Sequence, residues 1–273
     1  MSLNQYKSCS NCGTELHGNY CSSCGQKQNS DYRIRHFLSE SIEDYFNVDG
    51  KILTTIKILL SRPGQLSSDH YQGKRIRYIK PFQMFLISYL LFWVAAVSRG
   101  IYDFTLQEYL NWPPPSTELV RQFVQTALTK SSMTYAQYEA IFNANSDFLR
   151  KGLIAILIPL LALASWLLNY KQKRYYIQHL IFAIHFFTFY WFYVAIANLP
   201  LVRLVEYLGF WADTVLFYIN NSVIFLYMFL SIRRIYPYSK PISVINAALI
   251  AFVVIGLLRA YRILLFFSTY LIT

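Results

Sequence analysis

The residues of this sequence best suited to chemistry are Cys9, Cys12, Cys21 and Cys24, and the chain has no other cysteine. They form two C-x2-C-G units, Cys9-Ser10-Asn11-Cys12-Gly13 and Cys21-Ser22-Ser23-Cys24-Gly25, with eight residues between Cys12 and Cys21. Each unit offers two thiolates to one ion, and two units complete a tetrahedral four-sulfur shell. The glycine after each pair suits a tight turn with positive φ. With all four positions filled by protein, such a site is structural. Zinc is its usual occupant, and a rubredoxin-like iron shares the ligand set. Disulfides or redox C-x2-C pairs are the competing reading, which a reducing cytosol disfavours. Residues 1–30 are rich in Ser, Asn, Gly and Gln and have no periodic apolar face. A bound metal must therefore supply their folding energy, on the order of 10 kcal/mol for comparable zinc sites.

A second set of candidates lies in apolar sequence. His179 and His185 are six residues apart, so on a helix their directions differ by about 120° and they are not an H-x3-H metal pair. Gln178 and His185 are seven apart and share a stripe. Arg259 and Arg262 share a face at i, i+3. These five make a candidate intramembrane polar site. The competing role is interhelical hydrogen bonding, which is the commoner use of polar groups inside a bundle. No nucleophile motif, phosphate loop or carboxylate pair appears, and the near absence of acids from the apolar runs argues against proton-coupled transport.

The elements that must position these residues are membrane spans. The chain of 273 residues is 55% hydrophobic and 18% aromatic but only 14% charged, against roughly a quarter charged in soluble chains. Apolar runs at 81–98, 152–169, 177–199, 214–232 and 242–258 predict about five transmembrane helices in an all-α polytopic protein. The third is closed by Pro200, and the last either ends near Leu258 or continues toward Ile272. The insert 99–151 carries a turn at Pro113-Pro114-Pro115 and two helix-like stretches near 117–129 and 134–150. Two amphipathic helices are predicted between Asp31 and Leu60, stopped by Arg62-Pro63-Gly64. They lie on the membrane surface, pack on the ends of the spans, or form a small soluble pair. The division is thus a headpiece at 1–30, a juxtamembrane segment at 31–80 and a membrane domain at 81–273.

The net charge of +11 is not gathered on a basic module but at the ends of apolar runs, which excludes nucleic acid as the expected partner. Lys74, Arg75, Arg77 and Lys80 sit directly before the first span, where anionic lipid headgroups are the expected partner. Lys and Arg number eleven before the first span, three in 170–176 and three in 233–241. The long insert has five, the 200–213 segment one, and two more fall at 259 and 262. The alternation places the N-terminus in the cytoplasm and the C-terminus outside. The first residues lack the apolar core of a signal peptide, so the first span directs insertion itself.

Several of these motifs together resemble an uncharacterised bacterial family, the domain of unknown function "three-six-six-seven". They are the double C-x2-C-G ending in Cys24-Gly25-Gln26, then Arg62-Pro63-Gly64, and Tyr71-x-Gly73-Lys74-Arg75 with Tyr78 and Pro81. His179-Leu180-Ile181-Phe182-Ala183-Ile184-His185 and Tyr261-Arg262-Ile263-Leu264-Leu265-Phe266 complete the set. The resemblance implies an inner-membrane protein and supplies no activity. Where the family pattern has an acid before the first histidine, this chain has Gln178. The leading expectation is a non-enzymatic membrane protein whose zinc headpiece docks a cytoplasmic protein partner or steadies the bundle. The alternatives are a transporter or exporter with a central polar site, and a membrane-embedded enzyme acting on lipid.

Overall fold

The computed structural model describes residues 8–27, 51–97, 104–111, 116–208 and 212–273. The amphipathic helix expected in 31–46 and the turn at 113–115 lie outside the described residues. The described helices are α1 (Ile52–Ser61), α2 (Gln65–Tyr71), α3 (Pro81–Val97), α4 (Leu106–Leu110), α5 (Ser116–Ser131) and α6 (Tyr135–Leu153). They continue with α7 (Leu157–Leu168), α8 (Tyr176–Tyr193), α9 (Leu199–Leu208), α10 (Ala212–Ile235) and α11 (Lys240–Ile272). Two compact units result. One holds residues 1–96 and 158–253, the other 97–157 and 254–273.

Four helical stretches are long and apolar enough to cross a membrane: Tyr135–Leu168, Tyr176–Val205, Thr214–Ile235 and Lys240–Ile272. α3, with 17 residues, is apolar but shorter, at the lower limit for a span. Two boundaries differ from the sequence expectation, and a third that was left open is decided. The run expected to start at 152 is the second half of one helix that begins at Tyr135, with a single 3-10 turn at Ile154–Ile156. Arg150 and Lys151, at the junction, both bind Asp147 one turn back and stay helical. Pro200 does not end the third span. It lies inside the stretch Tyr176–Val205, directly after a π turn at Val194–Asn198 that interrupts the regular bond ladder its missing N–H could not complete. Of the two ends left open for the last span, Leu258 and Ile272, the helix reaches the second. Its 33 residues make one helix, about 50 Å long against a hydrocarbon layer of about 30 Å.

In the first unit α8 is central. Every residue from Ile181 to Thr188 is buried, as expected of a helix that is apolar all round. Its aromatic residues are packing bulk. Trp191 lies 4.5 Å from Phe92 of α3, and Phe189 stacks 4.0 Å from Tyr227 of α10. α1 packs on this bundle through Leu59, which joins Leu66, Ile79, Met84 and Phe192 in one buried cluster. Thr55 of α1 takes the Ile79 amide at 3.2 Å, tying α1 to the entry of α3.

The second unit has a buried core of its own. Leu106, Tyr109, Val120, Val124, Tyr138, Phe142 and Phe266 are buried together. Thr134 and Gln137 form the capping box that starts α6, a start signal legible as Thr134 in the sequence.

Candidate functional site

The two C-x2-C-G turns fold alike. The first cysteine of each donates its amide to the residue five positions on, Cys9 to Thr14 at 2.8 Å and Cys21 to Gln26 at 2.9 Å. The glycine amide returns to the first cysteine's carbonyl at 2.8 Å in both. Gly13 and Gly25 adopt φ of 81° and 71°, which is why glycine stands after each pair. Two isolated antiparallel bridges, Ser8 to Glu15 and Tyr20 to Lys27, close the turns. All four Sγ atoms fall within 4.8 Å of one another, with Cys12 to Cys21 at 3.5 Å and Cys9 to Cys24 at 3.7 Å. No disulfide joins them. A metal–sulfur bond of about 2.3 Å implies a tetrahedral edge of about 3.8 Å, which the two short pairs already match, so the cluster could hold a metal ion. Hydrogen bonding with Thr14 lowers the Cys12 thiol to about 6, while burial and the neighbouring Cys12 and Cys21 thiols raise Cys24 to about 11.

This ribbon sits on the juxtamembrane turn of its own unit. Gln26, buried, donates to the Gly73 carbonyl at 2.6 Å and to Ser10 Oγ at 3.0 Å, and accepts the Arg75 amide at 3.4 Å. Ser10 also reaches the Gly73 carbonyl at 3.3 Å. The Cys24-Gly25-Gln26 and Gly73-Lys74-Arg75 motifs, read separately in the sequence, therefore meet. Lys74, Arg75, Arg77 and Lys80 all stand on the connection between α2 and α3. Arg77 is exposed, and Lys74 Nζ donates to Gln72 at 2.9 Å.

α2 is a short helix inserted between ribbon and bundle. Its first end is fixed by Gly64, at φ 78°, where an added Cβ would lie 2.6 Å from Ser231 Cα. Arg234 holds the same corner by donating to the Pro63 carbonyl at 2.6 Å. On the α8 side, Ser67 lies 2.9 Å from His185 Nδ1 and Tyr71 donates to the Gln178 carbonyl at 2.5 Å. Burial keeps the Tyr71 phenol well above its ordinary range, so it remains a donor. Asp69 takes hydrogen bonds from Gln65 at 2.8 Å and Tyr78 at 2.6 Å. Burial and Asp69 together push Tyr78 up to about 12.

The other intramembrane candidates are placed as follows. His179 Nδ1 lies 3.0 Å from Ser165 of α7 and 3.4 Å from the Tyr236 hydroxyl. Gln178 accepts the Tyr175 amide at 3.2 Å, capping α8. His179 and His185 are both buried. Arg174 stacks between Tyr71 and Tyr236, 4.8 and 5.2 Å from the ring centres, and donates to the Ile235 carbonyl at 2.9 Å. Asn169 accepts from Asn246 and Tyr238, both at 3.0 Å. Arg259 and Arg262 belong to the other unit. Arg259 is exposed. Arg262 Nη2 lies 4.0 Å from Glu108 and its guanidinium 5.2 Å from the Phe104 ring centre, and its carbonyl accepts the Tyr109 hydroxyl at 3.1 Å. Within its own unit, Arg262 thus meets Glu108 of the insert.

The sequence reading missed Gln26, Ser67, Ser165, Tyr236 and Glu108 as partners. Only Gln26 carried a local signal, its place directly after the second C-x2-C-G.

The family described as a protein of unknown function (DUF3667) matches residues 49–93. The chain resembles that family there. The match takes in α1, α2 and most of α3, including both Gly64 and Gly73, whose positive φ and close contacts define α2. The ribbon and everything after residue 93 lie outside it. No curated protein and no solved structure matches the chain.

Proposed function

We propose that this is a non-enzymatic scaffold of the bacterial inner membrane, with a structural zinc ribbon on the cytoplasmic side that steadies the bundle. The observation that carries this is how the buried polar groups are used. His185 is tied to α2, His179 to α7 and Tyr236, and Gln178 to its own helix start. Groups that bond neighbouring helices hold a bundle together. Zinc is the ion favoured by four thiolates in a closed tetrahedron.

The proposed orientation, N-terminus cytoplasmic and C-terminus outside, is supported by the contacts that gather the cation-rich segments. The ribbon, the 62–80 segment, the 170–176 loop and the 233–241 loop are the cation-rich segments, and contacts join them in one unit. The cation-poor insert and the C-terminal half of α11 share the other. Lys74, Arg75, Arg77 and Lys80 would then meet anionic headgroups of the inner leaflet. Glu15, His17 and Tyr20, exposed on the ribbon, would be open to a cytoplasmic protein partner.

Diethylpyrocarbonate labelling of full-length protein in nanodiscs, with modified histidines located by mass spectrometry, separates this reading from transport. A scaffold leaves His179 and His185 unmodified while exposed His17 reacts. A transporter that opens its interior to water exposes them, and modification of His179 or His185 at the rate of His17 would overturn the scaffold reading.

A further inference from the structure

The short helix α2 is bounded by two glycines in the left-handed region, Gly64 at φ 78° and Gly73 at φ 81°, and each end is pinned to a different body. At Gly64 the neighbour is the backbone of Ser231 in α10, against which a Cβ would come within 2.6 Å. At Gly73 the neighbour is the ribbon, where a Cβ would come within 2.7 Å of Ser10 Oγ. The first pin is internal to the bundle. Among the described residues, the second is made between the cysteine turns and the Gly73–Arg75 backbone. Ser10 stands between Cys9 and Cys12, and the Gln26 carbonyl accepts the Cys21 amide that shapes the second turn. Because the ribbon has no core of its own, its turns keep this shape only while the four thiolates are held together.

We propose that α2 is a lever through which the metal state of the ribbon is transmitted to His185 in the interior of the bundle. The inference rests on the ribbon binding a thiolate-seeking divalent ion such as zinc. With metal bound, Gln26 and Ser10 hold Gly73, Tyr71 seals against the Gln178 carbonyl and Ser67 meets His185. When metal is lost, the cysteine turns unfold and the Gly73 end is released. The Gly64 end stays wedged on Ser231, so α2 pivots there. Tyr71, two residues from the freed end, parts first from α8, and Ser67, three residues from the pivot, parts last. The inserted helix therefore couples a cytoplasmic metal site to a buried histidine 118 residues away in sequence.

The test is hydrogen exchange by mass spectrometry on full-length protein in nanodiscs, alongside elemental analysis, comparing metal-loaded, chelated and Gln26→Ala protein. Chelation is expected to speed exchange of the 65–74 amides by about tenfold or more, most at Gly73 and Lys74 and least at Ser68. The amides of α6, in the other unit, serve as the unchanged reference. Gln26→Ala keeps all four cysteines, so it should retain its metal and still loosen α2. That arm decides the matter even if chelation unfolds the whole chain. Unchanged α2 exchange on chelation, or a metal-loaded Gln26→Ala with wild-type α2 protection, would overturn the lever. Wild-type protein without metal would overturn the reading of the ribbon itself, which the elemental analysis reports separately.

Discussion

Replacing Gly64 by alanine tests the most demanding contact in the membrane domain. The added methyl would sit 2.6 Å from Ser231 Cα and 2.9 Å from its carbonyl oxygen, both backbone atoms that cannot rotate away. A non-glycine residue at φ 78° costs about 1–2 kcal/mol in backbone strain. Forcing α2 away from α10 adds a further 1–3 kcal/mol, roughly, as for other overpacked interiors. The sum, about 2–5 kcal/mol, corresponds to a fall in melting midpoint of roughly 4–20 °C for a chain of this size. The assay is thermal unfolding of purified protein in nanodiscs, followed by tryptophan fluorescence. Gly13→Ala is the control. It has nearly the same φ, 81°, but nothing within 4 Å of its Cβ, so it carries the strain without the clash. A Gly64→Ala protein that melts with the wild type, or no lower than Gly13→Ala, would refute the packing of α2 on Ser231.

Other consequences follow from the same contacts. Ser67→Ala leaves His185 Nδ1 buried without its partner and should cost about 1–3 kcal/mol. Ser67→Ala with His185→Phe should recover part of that loss, and strictly additive melting shifts would contradict the tie. Burial, the Arg75 charge and then His185 hold the half-buried His70 well below its ordinary value of 6.5. The unfolded chain takes up a proton there that the folded chain refuses, so this contribution is full above pH 6.5. It is lost as pH falls below it, at up to about 1.4 kcal/mol per pH unit. His70→Gln should flatten the acid limb of the stability profile, and an unchanged limb would count against it. Glu108→Gln, by contrast, should change stability by less than about 1 kcal/mol. Its pair with Arg262 is 4.0 Å long and both side chains are more than a third exposed, a setting in which ion pairs contribute little.

The sequence was most legible where chemistry is local. The C-x2-C-G spacing announced the cysteine cluster because four ligands, two turns and two glycines lie within 17 residues, Cys9 to Gly25. Apolar runs announced the membrane class for the same reason. Arg62-Pro63-Gly64 could be read as a helix stop, but not as a wedge, because the atom that demands glycine belongs to Ser231, far along the chain. Gln26 stood out only by following the second C-x2-C-G, and its acceptor, the Gly73 carbonyl, lies 47 residues along the chain. The helix from Tyr135 to Leu168 was read as two stretches, 134–150 and 152–169, because the composition turns from polar to apolar there while the helix runs on. Arg150 is nevertheless buried, bound by Asp147, and its carbonyl accepts the Tyr261 hydroxyl at 2.9 Å. Pro200 was taken as a stop because the π turn before it leaves no mark in hydropathy.

Metal content bears most directly on the central claim, that a metal-holding ribbon is built onto a helical membrane bundle. Elemental analysis of full-length protein, purified without chelator, should find one zinc ion per chain. Cys12→Ser should lose it while the protein still inserts in the membrane. Protein that holds neither zinc nor iron, with Cys9, Cys12, Cys21 and Cys24 paired as disulfides by mass, would contradict the account.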